Sequence, residues 1–244
     1  MSYAMTHLVI ADRFLKTHPM GNSELFMLGS IAPDAVHSRS DFTKRIKARS
    51  HCLQEEETWG EICTEEPLIK WYGRLKDFWF ETSVLADDSD TESFLKGYTL
   101  HILTDIFNNA ILYAPCWKNF GLEDVDGFRE AYRRECIIQD NWIMLSDPDI
   151  AKTAQALLIT ADKYDLKKII SQLDLEKHFS ADDLRGSIEY LLKEHENDVS
   201  VSFDGLSMVS QRGTEKFFSE VESECEKMLF DFPDAGRKFR IPEI

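Results

Sequence analysis

Apolar residues along most of this chain recur at steps of three and four positions, and this spacing constrains the fold more than any other feature. A period near 3.6 residues places such residues on one face of an α-helix. Glycines and prolines fall mainly between the periodic runs, where helices end. The pattern predicts an all-α, multi-helix protein, and we expect one domain over its 244 residues.

Individual helices are predicted where the apolar period is clearest. Pro33 and Pro115 should end the helices that precede them, since the residue before a proline disfavours the α conformation. The best strand signal is a short alternating segment at 198–205. The predicted helices are 6–16, 24–31, 54–84 with an interruption at Pro67, 92–113, 124–145, the segment SDPDIAKTAQALLITA at 146–161 with Ser146 or Asp147 as its cap, 180–196 and 213–229.

The composition predicts the cellular compartment of the protein. No apolar run reaches about 18 residues, and Asp12 and Arg13 interrupt the start before a signal-peptide core could form. The five cysteines form no close pair, which favours a reducing compartment over a disulfide framework. A formal charge of −16 should repel duplex nucleic acid and anionic membranes. We therefore expect a cytoplasmic protein without stable membrane insertion.

The segment GYTLHILTD, at 97–105, places a histidine and an aspartate inside a largely apolar helix. His101 and Asp105 are four positions apart and so lie on the same helical face. They can offer an imidazole nitrogen and a carboxylate to one metal ion. They can equally form a hydrogen-bonded pair that fills a polar gap in a helical core. The pair alone leaves both interpretations open.

Three further segments supply side chains of the same kind. Asp34 follows Pro33 in GSIAPD, where it can cap the next helix or act as an oxygen ligand. His51 ends the basic stretch ARSH, and His7 opens the first apolar helix in THLVIA. Histidine nitrogen and carboxylate oxygen are ligands that zinc accepts, usually in about four positions.

In this order and context, the motifs resemble those of the zinc-dependent phospholipase C family, an all-α superfamily that also contains fungal single-strand nucleases. The resemblance covers roughly residues 5–145 and is closest to the intracellular bacterial branch. It implies that Asp34, His51, His101 and Asp105 bind one zinc, and that Asp105 bridges to a second zinc held by His7. It also implies hydrolysis of a phosphate ester, with Asp34 as the general base that orients the attacking water.

The chain departs from the family at the remaining ligands. The family's second zinc also uses the amino terminus of the mature chain, whereas six residues precede His7 here. Ile111 stands where a third zinc has a histidine, and Cys136-x-x-x-Asp140 stands where it has a later pair. We expect one zinc, with a second possible; Asp140 is a weaker metal candidate and Cys136 a core residue. The metal-site core is thus placed in 1–147, and 148–244 is a helical part without motifs.

A basic segment between Asp34 and His51 adds a phosphate-binding hypothesis. Arg39, Lys44 and Lys47 could neutralise a phosphoryl oxygen, or they could form a solvated face. The expected substrate is a small phosphate ester, such as a phospholipid headgroup or a nucleotide. The alternative is a metal-stabilised helical protein without turnover, and a scaffold whose histidines are core residues is a third possibility.

Overall fold

The computed structural model describes residues 4–55, 57, 62, 64–121, 125–194, 202–204, 206 and 208–231. All regular structure in these ranges is helical, which confirms the predicted all-α class, and no strand occurs in them. The predicted strand at 198–205 is not formed at 202–204, and its positions 198–201 and 205 lie outside the described residues.

The regular elements in the described ranges are eleven α-helices, one 3-10 helix and two π-helical turns. A 3-10 helix, Ala32–Ser38, comes after α2, and π-helical turns at Asn109–Tyr113 and Trp117–Gly121 flank α6. The α-helices are α1 Ala4–Thr17, α2 Ser23–Gly29, α3 Lys44–Ser50, α4 Glu65–Ser83, α5 Ser89–Asn108, α6 Ala114–Cys116, α7 Val125–Ser146, α8 Pro148–Lys163, α9 Leu166–Gln172, α10 Ala181–Glu194 and α11 Gln211–Asp231.

Two of the predicted boundaries were wrong, and both involve proline. The helix expected at 54–84 begins only at Glu65, so Pro67 lies in its first turn, where a missing N–H costs nothing. Positions 56, 58–61 and 63 of the predicted range lie outside the described residues. Pro115 does not end the helical path of α5, because π-helical turns accommodate the ring on either side.

Helix α5 is the centre of the fold. From Phe94 to Asn108 all its residues except Lys96 are buried, and helices α1, α2, α4, α9 and α11 pack against it. A helix enclosed on every side is expected to be apolar all round. His101 and Asp105 are therefore polar exceptions in the middle of the core, where unpaired polar groups are costly.

Two glycines allow α2 and α5 to touch through their backbones. A Cβ atom on Gly29 would lie 2.1 Å from the Phe94 carbonyl oxygen, and one on Gly97 would lie 2.1 Å from the Phe26 carbonyl oxygen. Any larger residue at either position would force the helices apart. The glycines of GSIAPD and GYTLHILTD are thus required by close packing, which brings the end of α2 against α5.

The C-terminal helices also contact the elements that carry the predicted ligands. Helix α10 packs on the 3-10 helix, and α11 packs on α1 and α5. One continuous apolar core runs from Met5 in α1 to Cys225 in α11. Among the helices of the described ranges, none combines the length and apolar character that a membrane span requires.

Candidate metal centre

The five side chains predicted as metal ligands come together around α5. His7, His101 and Asp105 form one group, and Asp34, His51 and His101 form a second that shares His101. Within each group the candidate ligand atoms all lie within 4.8 Å of one another. Residues nearly a hundred positions apart in sequence therefore converge on one place, where they could hold a metal ion.

Asp105 lies at the centre of this cluster. Its Oδ1 is 3.6 Å from Nε2 of His7, and its Oδ2 is 3.6 Å from Nε2 of His51 and 3.7 Å from Nε2 of His101. Its side chain is only 2% exposed. One buried carboxylate thus faces all three imidazoles.

Asp34 is the second carboxylate of the cluster and lies beside two of these histidines. Its Oδ1 is 3.3 Å from Nε2 of His51, and its Oδ2 is 4.0 Å from Nε2 of His101. It follows Pro33 in the first turn of the 3-10 helix. At 23% exposure its side chain is the one candidate ligand that reaches solvent, while the three histidines are buried.

Backbone carbonyls fix the orientation of two rings. Nδ1 of His101 lies 2.8 Å from the Ser30 carbonyl oxygen, which can only accept, so Nδ1 carries the proton. Nε2 of His101 is buried and makes no hydrogen bond to any described residue. Nδ1 of His51 is likewise 3.0 Å from the Lys47 carbonyl oxygen. Metal-binding histidines typically donate their other N–H to such a group.

The charges of the cluster favour a bound cation. Burial, reinforced by His101, lowers the pKa of His7 to about 3, and burial lowers that of His51 to about 4. Burial alone would raise the pKa of Asp105, but the surrounding histidines outweigh it and hold the pKa below its usual value. At neutral pH the cluster therefore combines the neutral imidazoles of His7 and His51 with negatively charged carboxylates, an arrangement that attracts a cation.

A tight helix end places His51. Cys52, directly after it, adopts a left-handed conformation with φ 56°. The Leu53 N–H donates to the Ala48 carbonyl at 2.8 Å, and the Cys52 N–H donates to the Arg49 carbonyl at 3.2 Å. These are the two bonds of a Schellman motif, in which glycine is the usual left-handed residue. The chain turns away immediately after His51, leaving its ring at the end of α3.

Two aromatic side chains hold this helix end against the core. The Trp71 indole N–H donates to the His51 carbonyl at 2.6 Å, and the Tyr98 hydroxyl donates to the Ser50 carbonyl at 2.6 Å. Both aromatic residues are buried. Terminal helix carbonyls need such partners when they are enclosed, and here the partners also fix the position of a candidate ligand.

His37, which was not among the predicted site residues, lies beside Asp34. Its Nε2 lies 3.4 Å from Oδ1 of Asp34 and 2.8 Å from Nζ of Lys47, and Nζ of Lys47 is 3.4 Å from the same carboxylate oxygen. Side chains three positions apart eclipse each other in a 3-10 helix, so the Asp-x-x-His spacing was the available signal. Burial would raise the pKa of Asp34, but Lys47 and His37 outweigh it and lower the pKa well below its usual range.

The other basic candidates differ from Lys47 in their surroundings. Arg39 donates to both carboxylate oxygens of Asp41 and to the His178 carbonyl at 2.7 Å. Lys44 is exposed at the start of α3. Of the three residues predicted to bind phosphate, only Lys47 contacts one of the five clustered side chains in the part of the chain that the structure describes.

Asp140, the weaker metal candidate, belongs to neither group of described ligands. Its carboxylate accepts hydrogen bonds from the Met5 N–H at 2.9 Å and from the Thr6 N–H and hydroxyl at 3.3 and 3.2 Å. A carboxylate at this position satisfies free N–H groups at the start of α1. Asp140 thus anchors the helix that carries His7, and Cys136 is buried beside Tyr132 in a separate aromatic cluster.

Fold and site together define an all-α protein with a buried centre of three histidines and two aspartates that could hold a metal ion. Comparison of the chain with models of known protein families, with curated proteins and with solved structures gives no match.

Proposed function

We propose that this protein is a zinc-dependent phosphoesterase, a phospholipase C-like hydrolase of the cytoplasm. The observation that supports the proposal best is the convergence of three imidazoles and two carboxylates on a centre that is buried except at Asp34. The order of the motifs that carry these residues, and its resemblance to the zinc-dependent phospholipase C family, supplies the type of reaction.

The ligand set and spacing suit zinc. Zinc binds imidazole nitrogen and carboxylate oxygen at about 2.0–2.2 Å, so two ligands of one tetrahedral ion lie about 3.3–3.6 Å apart. The contacts of Asp105 with the three histidines, at 3.6–3.7 Å, and of Asp34 with His51, at 3.3 Å, are close to this spacing. Because the two groups share His101, we propose one zinc and leave room for a second beside His7.

The open edge of the centre suits an anionic substrate. A bound zinc would lower the pKa of a coordinated water and polarise a phosphoryl oxygen. Asp34, the half-buried carboxylate of this edge, would accept the proton of the attacking water as general base. The Lys47 ammonium, 3.4 Å from Asp34, would neutralise a non-bridging oxygen of the phosphate. A small phosphate ester, such as a phospholipid headgroup or a nucleotide, is the proposed substrate.

A second candidate function is a metal-stabilised helical protein without turnover. The burial of His7, His51, His101 and Asp105 favours it, because structural zinc sites are closed to solvent. The exposed side of Asp34 favours the hydrolase, since a catalytic centre needs a position for water and substrate. The two functions therefore differ in whether the solvent-facing side of Asp34 binds water and substrate.

The test measures metal and turnover in one set of proteins. Protein purified without added zinc should contain at least one equivalent of metal per chain, and the zinc-loaded protein should hydrolyse members of a panel of phosphate mono- and diesters. His101→Ala should lose both properties, whereas His18→Ala, outside the cluster, should retain them. Metal without turnover on the whole panel would support the non-catalytic function, and absence of metal binding would overturn both.

A further inference from the structure

The outward face of α4 carries much of the exposed apolar surface of the described residues. Four of their eight exposed large hydrophobic side chains lie on this helix or directly after it, namely Ile69, Phe80, Val84 and Leu85. The opposite face of α4 is buried, and the helix packs on α5. A concentration of exposed apolar side chains on one element is typical of an interaction surface.

Three of these side chains belong to a stripe along α4. Ile69, Phe80 and Val84 are 42%, 41% and 79% exposed, and Gly73 and Lys76 occupy the positions between Ile69 and Phe80. The five positions follow one another at steps of three or four residues, so they share one helical face. A Cβ atom on Gly73 would meet no atom within 4 Å. The stripe therefore has an open space between two large apolar side chains.

The order of residues along this stripe makes it complementary to a second copy of itself. A two-fold axis that crosses α4 at right angles, directly after Lys76, aligns the helix of the second copy antiparallel. Residues equally distant from the axis then lie opposite each other. Phe80 faces Gly73 of the second copy, whose open space can receive the ring, and Ile69 faces Val84 of the second copy.

The charges at the axis fit the same alignment. Lys76 faces Asp77 of the second copy, and by symmetry Asp77 faces Lys76 of the second copy. Adjacent residues of one helix do not face each other, so Lys76 and Asp77 of the same chain are not a pair. Two contacts between opposite charges thus form only between copies, and such contacts fix the register of an interface.

The charge of the protein argues against a membrane as the occupant of the stripe. Exposed Asp87 and Asp88 follow Val84 and Leu85, at the end of the stripe where apolar exposure is greatest. With a net charge of −16, the whole chain would also be repelled by an anionic lipid surface. A second copy fits better, because its own Lys76 lies at the centre of the contact.

From this self-complementarity we propose that α4 docks a second copy of the chain in a symmetric, antiparallel dimer. Each Phe80 ring packs into the space beside Gly73 of the other copy. One helix from each copy makes an interface smaller than the standard size of about 1,600 Å², so its affinity is weak, in the micromolar range. None of the five clustered side chains takes part, so the dimer is independent of the proposed hydrolase activity.

Sedimentation velocity of the full-length protein over a range of concentrations tests the dimer. At about 0.15 M salt, repulsion between the two acidic copies is screened beyond about 8 Å. We expect monomer at low micromolar concentration and dimer at high micromolar concentration. Gly73→Leu should weaken the dimer by about tenfold, because the new side chain fills the space for Phe80 although its own chain has room for it. Ile159→Ser, which removes an exposed apolar side chain from α8, should change nothing.

An exchange of charges tests the register. Lys76→Asp and Asp77→Lys should each weaken the dimer several-fold, because each substitution places like charges opposite each other across the axis. The double variant Lys76→Asp, Asp77→Lys restores opposite charges and should recover the affinity of the original chain to within about twofold, since the two substitutions are coupled. This recovery is not expected if the two residues act separately.

Three results would overturn the proposal. The first is a protein that remains monomeric at several hundred micromolar, which would leave the stripe to a different partner. The second is a Gly73→Leu variant that associates as well as the original chain or better, as a non-specific apolar contact would. The third is a double charge variant that does not recover. All three can be obtained whether or not the protein hydrolyses phosphate esters.

Discussion

The inner and outer sides of the candidate metal centre are built in different ways. On the inner side His7, His101 and Asp105 are buried, and Ser30, held against α5 by glycine contacts, orients His101 through its backbone. On the outer side Asp34 meets His37 and Lys47 through side chains alone, and His37 is 42% exposed. The inner side could thus hold a metal ion, and under the proposed function the outer side exchanges water and substrate.

The largest effect should come from acid acting on the buried histidines His7 and His51 of the metal-free protein. The folded-state pKa values of His7 and His51, about 3 and about 4, lie below the unfolded value of 6.5. The unfolded chain therefore binds more protons below pH 6.5, and stability falls as pH decreases towards 4. Each histidine should contribute about 1.4 kcal/mol per pH unit to this slope. Urea denaturation as a function of pH measures the slope, and His51→Gln should reduce it. A free energy of unfolding that does not change between pH 6.5 and 4 would contradict the prediction.

Substitution at a helix contact should disrupt the inner side by way of the backbone. Gly97→Ala would place a methyl group 2.1 Å from the Phe26 carbonyl oxygen. We expect a loss of about 3 kcal/mol or more in the free energy of unfolding, together with weaker metal binding, because Ser30 would move away from His101. Gly73→Ala is the matched control: its Cβ meets no atom within 4 Å, and alanine should stabilise α4 by about 1 kcal/mol. Equal stability of the two variants would refute the packing argument.

Substitutions of the two carboxylates, Asp105 and Asp34, should affect metal affinity and turnover differently. Asp105→Asn removes the charge that faces all three histidines. Metal affinity should therefore fall by at least about a hundredfold, because loss of a group that only orients a ligand already costs up to about that much. Asp34→Asn should lose less zinc affinity. At saturating zinc this variant should bind the metal but hydrolyse the substrate at least about a hundredfold more slowly, if Asp34 is the general base. Chelator competition and steady-state kinetics measure the two effects. An Asp105→Asn variant with wild-type metal affinity would show that the inner side does not hold the metal ion.

The smallest effect should come from the outer side. Lys47→Gln removes the cation beside Asp34 without touching the inner histidines. Zinc affinity should not fall, while binding of inorganic phosphate to the zinc-loaded protein should weaken by roughly tenfold, equivalent to about 1.4 kcal/mol. Lys44→Gln, an exposed lysine one turn earlier on α3, should change neither quantity. A loss of zinc affinity in Lys47→Gln would mean that the outer side also holds the metal.

Local sequence patterns predicted the helices well where the apolar period was strong. The prediction for 6–16 matches α1, Ala4–Thr17, and that for 180–196 matches α10, Ala181–Glu194, with positions 195 and 196 outside the described residues. Two prolines have other effects on the helices than their positions in the sequence predict. Pro67 opens a helix instead of interrupting one, and Pro115 lies within a helical path, because neighbouring turns can absorb the missing hydrogen bond.

Residue types and their order along the chain are enough to predict an all-α protein and to select His7, Asp34, His51, His101 and Asp105, the side chains that its structure brings together. How these side chains are oriented depends on contacts between distant segments. The close approach of Gly97 to the backbone of Phe26 and Ser30 directs a carbonyl at His101, the 3-10 helix turns His37 and Asp34 to one side, and Asp140 caps α1. These features depend on where distant backbones meet, and residue spacing along one chain does not encode such distances.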